Sequence, residues 1–464
     1  MTVVDDVEAP DGPQKLAVQV ARKLEREILE RRWPVGELLG SETELRERFG
    51  VSRAVLREAV RLLEHQEVAT MRRGPGGGLV VCAPNPSHAT RAFVIYLEYV
   101  GTSIEHLVRA RRLLEPLAAR LAAEVIDEDD IAALRALARP PGGATDAELA
   151  DGEFHVVLGR LSGNAVLQIF MEVLTRLTVR HSLTARRPSP DETAAVRATS
   201  ARRHVEIVDA VIAGDAVAAQ ERLSAHLGEV EAWLASRRLR QADEPMSTRP
   251  VDPSPGESHA VKLGELVAAR IHDDITGDGR QVGEVLGSET ELLARYGVSR
   301  AALREAVRIL EHHNVARMRR GPGGGLVILA PDPTAAIHTM ALYLDHRGLR
   351  SRDLREVREV MEVGCVQAIA ADPARTDLVD RLRRAVGEPD TFHATLAELA
   401  RNPVLTLFLR VVTEFELRHG SPDRPRRTPE AARPAHEAVV AALVAGDDGL
   451  AQHRIRRHLH DPAR

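Results

Sequence analysis

The chain has 464 residues, 44% apolar and 28% charged, with a formal net charge of −5. That balance supports several cores of ordinary size and excludes a bulk polycation, so any affinity for nucleic acid must come from local stripes and helix N-termini. Two cysteines, Cys82 and Cys365, exclude a disulfide framework and fit a reducing cytoplasm; no apolar run approaches the roughly 18 residues of a membrane span, and the acidic start is no signal peptide.

Residues 1–14 read as a disordered tail. From Gly36 the chain then runs through a segment that returns at Gly283, 247 positions on: GSETELRERFGVSRAVLREAV becomes GSETELLARYGVSRAALREAV, and RRGPGGGLV follows in both. Repetition over so long a stretch marks a duplicated module. Within it, Ser41 and Glu44 form a capping box that starts a helix. Gly50 suits its left-handed end. A second helix follows with Ser52 as N-cap and Leu56, Ala59, Val60 and Leu63 toward the core. Arg53, Arg57 and Arg61 then form one outward row, repeated as Arg300, Arg304 and Arg308.

Two meanings suit that row. Its guanidiniums can meet phosphates and guanine edges in a major groove, or form a solvated face paired with Glu58, Glu64 or their counterparts. Val68 to Val81 alternates weakly around Arg72, Arg73 and a glycine-rich run, as a β-hairpin with a basic tip would. The run lacks the lysine of a phosphate-binding loop and does not open a helix after a strand.

The body from residue 85 to 240 reads as an antiparallel helical bundle, with periodic segments at Ser103–Val125, Asp127–Ala138, Leu149–Leu161, Leu167–Leu183 and His204–Trp233. Arg111 and Glu115 lie at i, i+4, the spacing of a helix-surface ion pair. Asp151 and His155 share a helix face. His204 is placed at the opening of a late helix, with His226 22 residues on beyond a Gly214-Asp215 turn. Three imidazoles and a carboxylate suit a first-row transition metal; surface caps and satisfied histidines give the same spacing.

Residues 241–258 contain four prolines and read as a linker whose reach, about 60 Å when extended, exceeds the roughly 34–36 Å between half-sites one DNA turn apart. A second head spans 259–331 and a second body 332–464. In that body His393, His436 and His458 repeat the histidine spacing, but Pro389 replaces the carboxylate and Asp390 is one residue off the face. The interval Glu362–Pro389 is also shorter than Glu115–Asp151, by about two helical turns of sequence. A weaker or vacant site is expected there, with His453 as a substitute ligand.

The run from Lys15 to Val81 resembles the winged helix of the GntR superfamily, through Gly36, Leu39, Ser41, Glu42, Leu45, Gly50, Val51, Ser52, Arg53, Arg57, Glu58, Ala59 and Gly74. The resemblance implies that Arg53, Arg57, Arg73 and Gly74 contact operator DNA, with Arg300, Arg304, Arg320 and Gly321 in the second copy. Thr43 and Thr290 depart from an arginine of the fatty-acid-regulator branch. Some members of the superfamily carry an aminotransferase-like body, but the only lysines are Lys15, Lys23 and Lys262, so neither body can form a pyridoxal Schiff base.

The bodies look like the FCD effector domain. That likeness implies a divalent metal of the zinc, nickel or manganese class on Asp151, His155, His204 and His226, beside a small carboxylate effector. It also turns Arg111 and Arg358 toward the ligand and puts Asn164 on the family's effector-site motif. The expected molecule is mainly α, with two winged helix-turn-helix heads, each followed by a helical bundle. It would be a cytoplasmic transcriptional regulator, by expectation a repressor, acting as a covalent pseudo-dimer on an inverted-repeat operator in double-stranded DNA. A metal-dependent hydrolase fused to DNA-binding heads, with Glu153 as its base, and a ligand-independent architectural DNA-binding protein are the alternatives.

Overall fold

The computed structural model describes residues 13–138, 147–184, 190–241, 263–312, 315–330, 333–419 and 429–460, except positions 75, 278, 279, 320 and 322. The expected tail and the expected linker beyond Gln241 lie largely outside them. The chain divides into two compact units, one running to Ala89 and including Thr339–Gly348, the other formed by Thr90–His338 and Leu349–Arg464.

The first unit is built on a head of α1 (Pro13–Glu30), β1 (Leu38–Gly40), α2 (Glu42–Phe49), α3 (Arg53–His65), β2 (Ala69–Arg72) and β3 (Gly78–Val81). Ser41 Oγ accepts from the Glu44 amide at 3.3 Å while Glu44 Oε2 accepts from the Ser41 amide at 2.7 Å, which closes the capping box before α2. Gly50 ends the helix at φ 63°, a left-handed conformation that glycine adopts without strain. Ser52 then caps α3, which lays Leu56, Ala59, Val60 and Leu63 against Ala17, Val20, Leu24 and Ile28 of α1.

The hairpin forms as the alternation suggests, with Arg72 opposite Gly78. A third strand, β1, joins it in the order β1-β3-β2. Three residues are too few to show a period of two, so β1 is invisible in the sequence pattern. A Cβ on Gly78 would stand 2.4 Å from the Gly40 carbonyl oxygen, so the β1–β3 approach requires glycine there. Leu342 completes the core of this head, and His346 meets Trp33 edge-on with ring centroids 5.4 Å apart.

The second unit begins in α4 (Pro86–Tyr99) and continues through the first body: α5 (Ile104–Val125), α6 (Glu128–Ala138), α7 (Ala147–Leu161), α8 (Ala165–Thr184), α9 (Pro190–Ile212) and α10 (Ala216–Gln241). The second head follows as α11 (Leu263–Gly277), α12 (Glu289–Tyr296), α13 (Arg300–His312), β4 (Ala316–Arg319) and β5 (Gly325–Ile328). Then come α14 (Thr334–His346), which belongs to the first unit from Thr339 on, and the second body: α15 (Ser351–Ala371), α16 (Arg375–Arg384), α17 (Pro389–Leu399), α18 (Pro403–His419), α19 (Pro429–Ala445) and α20 (Asp448–His460).

One expectation is corrected here and another is located. His204 lies inside α9, which starts at Pro190, so the histidine is held by helix on both sides instead of opening it. The shortening of the second body is split between a connection reduced to residues 385–388 and the lost first turn of α17, which starts at Pro389 where α7 has already run from Ala147 to Asp151. Proline lacks an amide donor and is tolerated in a first helical turn, so it marks the new start.

The helices after each head are exchanged. Ile95 and Tyr99 of α4 pack on the core of the second head, whereas Leu342 of α14 packs in the core of the first. The two bodies meet face to face within the second unit. Phe170 and Phe408 stack with centroids 3.8 Å apart, and each follows a seam asparagine by six positions. Asn164 Nδ2 donates to the Asp353 carbonyl and Asn402 Nδ2 to the His106 carbonyl, both at 3.0 Å. Since Asp353 lies 247 residues after His106, these reciprocal bonds are the mark of an internal two-fold seam.

Candidate nucleic-acid interface and histidine centres

Helix α3 is fixed by its apolar face, so the rest of its surface is turned to solvent. Arg53, Arg57 and Arg61 are all exposed, as are Arg300, Arg304 and Arg308 on α13. Arg53 Nε bonds Glu42 Oε1 at 2.6 Å and Arg61 bonds Glu58 at 2.6 Å; in the second head Arg308 reaches Glu305 at 2.8 Å, while Arg300 and Glu289 are 3.9 Å apart. Arg57 and Arg304 make no salt bridge among the described residues. Exposed pairs of this kind hold about 0–1 kcal/mol each, too little to keep an arginine from a phosphate. Arg73 is exposed beside Gly74, whose φ is 106°, and Gly321 adopts the matching 104°. Arg320 lies outside the described residues.

In the first body a chain of contacts runs inward from α5. Arg111 Nε donates to Glu115 Oε1 at 2.5 Å, and Glu115 Oε2 is 2.7 Å from His155 Nδ1. This is the i, i+4 pair of the sequence, but buried: the side chains are 7% and 0% exposed, so the surface-pair reading is replaced by an interior one. Burial pushes the Glu115 carboxyl upward, and the Arg111 guanidinium and His155 outweigh it, holding it at about 2. Burial likewise drives His204 down to about 2, with His155 and Arg111 adding to the effect, so its imidazole is neutral.

His155, His204 and His226 are all buried, and one ring nitrogen from each falls within 4.8 Å of the others. A carboxylate at His155 Nδ1 keeps the proton on that nitrogen and turns the Nε2 lone pair inward. That Nε2 is buried and has no hydrogen-bond partner among the described residues. Asp151 sits one turn earlier on α7, but its side chain lies outside the described residues.

The second body repeats the construction. Arg358 Nε donates to Glu362 Oε1 and Glu362 Oε2 meets His393 Nδ1, each at 2.7 Å. His436 Nδ1 faces the Val386 carbonyl oxygen at 3.2 Å. A carboxylate and a carbonyl only accept, so both Nδ1 atoms carry their protons and both Nε2 atoms present lone pairs. Those two Nε2 atoms each lie 3.2 Å from His458 Nε2. Lone pairs converging on one point inside protein are a donor set for a cation, and three imidazoles suit a transition metal.

With proline in place of the carboxylate at position 389, His393, His436 and His458 still lie together. His453 is exposed and is not part of the group. Asn164 Oδ1 accepts from the Val166 and Leu167 amides at the start of α8 and its Nδ2 donates across the seam, so its polar atoms serve helix capping and the body–body contact. The residues missed from sequence are Glu115 and Glu362. Their only signal is the spacing to an arginine, and it looks the same on a surface helix.

Two family profiles each match twice along the chain. Residues 16–79 and 263–325 match "Bacterial regulatory proteins, gntR family", and residues 106–229 and 353–461 match "FCD domain". The HTH-type transcriptional repressor NanR of Salmonella newport is 31% identical over 246 residues, covering 50% of this chain and 90% of that protein. The repressor of the same name from Salmonella typhi is 31% identical, covering 50% and 89%. Among solved structures, a Streptococcus agalactiae GntR protein is 26% identical over 46% of this chain and 98% of its own, with a TM-score of 0.33. The two Salmonella proteins are transcriptional repressors by name. The chain belongs to the GntR family of transcriptional regulators, and it carries the head and the FCD domain twice.

Proposed function

We propose that the chain is a repressor that binds one inverted-repeat operator with both of its heads, α3 and α13 reading similar half-sites in adjacent major grooves. The observation that carries this reading is the exposed arginine row of α3, reproduced residue for residue on α13. Arg73, Gly74, Arg320 and Gly321 would add wing contacts. The functional domains would be 15–84, 85–240, 259–331 and 332–464. No described helix is long and apolar enough to cross a membrane.

The bodies would be receptors for a small carboxylate held beside a divalent metal of the zinc, nickel or manganese class. His155, His204 and His226 would hold the metal in the first body, with Asp151 as a fourth ligand, and His393, His436 and His458 in the second. The bound metal supplies a positive point to which an acid can be drawn; Arg111 and Arg358 supply a second charge. Ligand binding would then act through unequal affinity for two arrangements of the heads.

Footprinting with the purified chain tests the first claim. Arg53→Ala/Arg57→Ala and Arg300→Ala/Arg304→Ala should each weaken binding at one shared site by roughly 2–6 kcal/mol, taking about 1–3 kcal/mol per base-reading arginine. If one pair is silent, a single head does the work. For the second claim, His155→Ala should halve the zinc retained after dialysis, given two histidine centres per chain; unchanged zinc would refute it.

A further inference from the structure

Gly364 lies in the interior of α15, where glycine weakens a helix relative to alanine. Leu113 of α5, in the other body, accounts for it: a Cβ at Gly364 would stand 2.3 Å from Leu113 Cδ1 and 3.1 Å from its Cγ. On the same pair of helices Arg120 Nη2 lies 3.8 Å from Glu356 Oε1, and Arg352 Nη2 lies 3.7 Å from Glu124 Oε2. These contacts ascend along α5 as they descend along α15, so the two helices cross antiparallel.

The repeat of 247 positions runs through α5 and α15 without a gap, matching His106 with Asp353 and Glu115 with Glu362. The two-fold seam therefore gives each contact a counterpart. Leu117 and Val360 hold the places that match Gly364 and Leu113. Arg109 and Gln367 match Glu356 and Arg120, and Glu105 and Ala371 match Arg352 and Glu124. Opposite charges thus meet at one end of the crossing, while at the other end each charged residue has a neutral one opposite.

Faces so built discriminate between partners. Two first bodies on the same two-fold would set Leu113 on Leu117, Arg120 on Arg109 and Glu124 on Glu105, each of them twice, which overfills the crossing and opposes like charges. Two second bodies would set Val360 on Gly364, Glu356 on Gln367 and Arg352 on Ala371, which leaves a gap at the crossing and no ion pair at these places. Only the unlike pair combines a filled crossing with opposite charges.

We propose that the α5–α15 face is a recognition surface whose partner is the unlike body: a first body accepts a second body and rejects a copy of itself. Specificity is a difference between the wanted and the unwanted pairing, and repulsion in the unwanted one counts as much as attraction in the other. A duplicated module begins with two like faces, which would let the first bodies of two chains join as readily as the two bodies of one. The differences at these positions remove that choice, whatever the heads and the bodies bind.

The test is a switch of partner in the full chain, read as mass in solution by light scattering. Arg120→Glu/Glu124→Arg keeps the i, i+4 pair on α5. It turns both cross-seam ion pairs into like charges and makes opposite charges face each other between two first bodies; adding Leu113→Ala clears Leu117. This triple variant should have twice the wild-type mass. Adding Arg352→Glu/Glu356→Arg restores opposite charges within the chain and should return the mass to that of wild type. A triple variant at wild-type mass overturns the proposal, and so does a doubled mass that the second pair of changes does not reverse. Should the triple variant fail to fold, Gly364→Leu decides: it should melt below wild type and recover in Leu113→Ala/Gly364→Leu, and melting at the wild-type temperature, or no recovery, overturns the proposal.

Discussion

The two heads carry almost the same sequence and are held in different ways. In the first, Trp33 Nε1 donates to the Cys82 carbonyl at 2.7 Å, so the head satisfies that oxygen with its own side chain. The matching carbonyl in the second head, at Leu329, receives the Tyr99 hydroxyl at 2.7 Å, and the donor comes from α4 of the other half. The residue matching Trp33 there is Arg280. A second polar contact adds to the tie: His272 Nε2 lies 3.2 Å from Glu98 Oε2, with the histidine buried. The first head meets its docking segment through Leu342 and the edge of His346 on Trp33. Duplicated modules thus keep their outward face and diverge where they are gripped, since the grip depends on a few residues just outside the repeated core.

The strongest way to break that contrast is Trp33→Ala. Removing a large buried ring costs about 3–5 kcal/mol and leaves the Cys82 carbonyl without its donor. Hydrogen exchange should show the loss in α1–α3 and leave α11–α13 protected; equal loss in both heads would mean that the heads are not independently held. Tyr99→Phe sharpens the same contrast more gently. It removes one hydrogen bond worth roughly 0.5–1.5 kcal/mol and should loosen the second head alone, with no change in exchange across α1–α3.

How much of this could be read from the residues depends on the range of the interaction. The capping box at Ser41 and Glu44, the left-handed stop at Gly50 and the hairpin from Ala69 to Val81 are decided within a few positions, and the structure has them. The 22-residue interval between His204 and His226, and between His436 and His458, is set by two helices and a tight turn, so the imidazoles could be paired from spacing. Burial was not legible. Arg111 and Glu115 have the spacing of an exposed pair, and only the bundle around α5 makes them an interior one. Nothing local announces that Asn164 donates across 189 positions to Asp353, or that α4 docks on the head that follows it by more than 160 residues.

Phe170 and Phe408 occupy corresponding places in the two repeats and stack on each other inside a single polypeptide. A partnership joined by peptide bonds has a fixed effective concentration, so dilution does not take it apart. A regulator that must first find a separate copy of itself loses its active form with the square of its abundance when it is scarce. Here the contact between the two bodies is made within each chain, so it falls only in proportion to the chain's abundance.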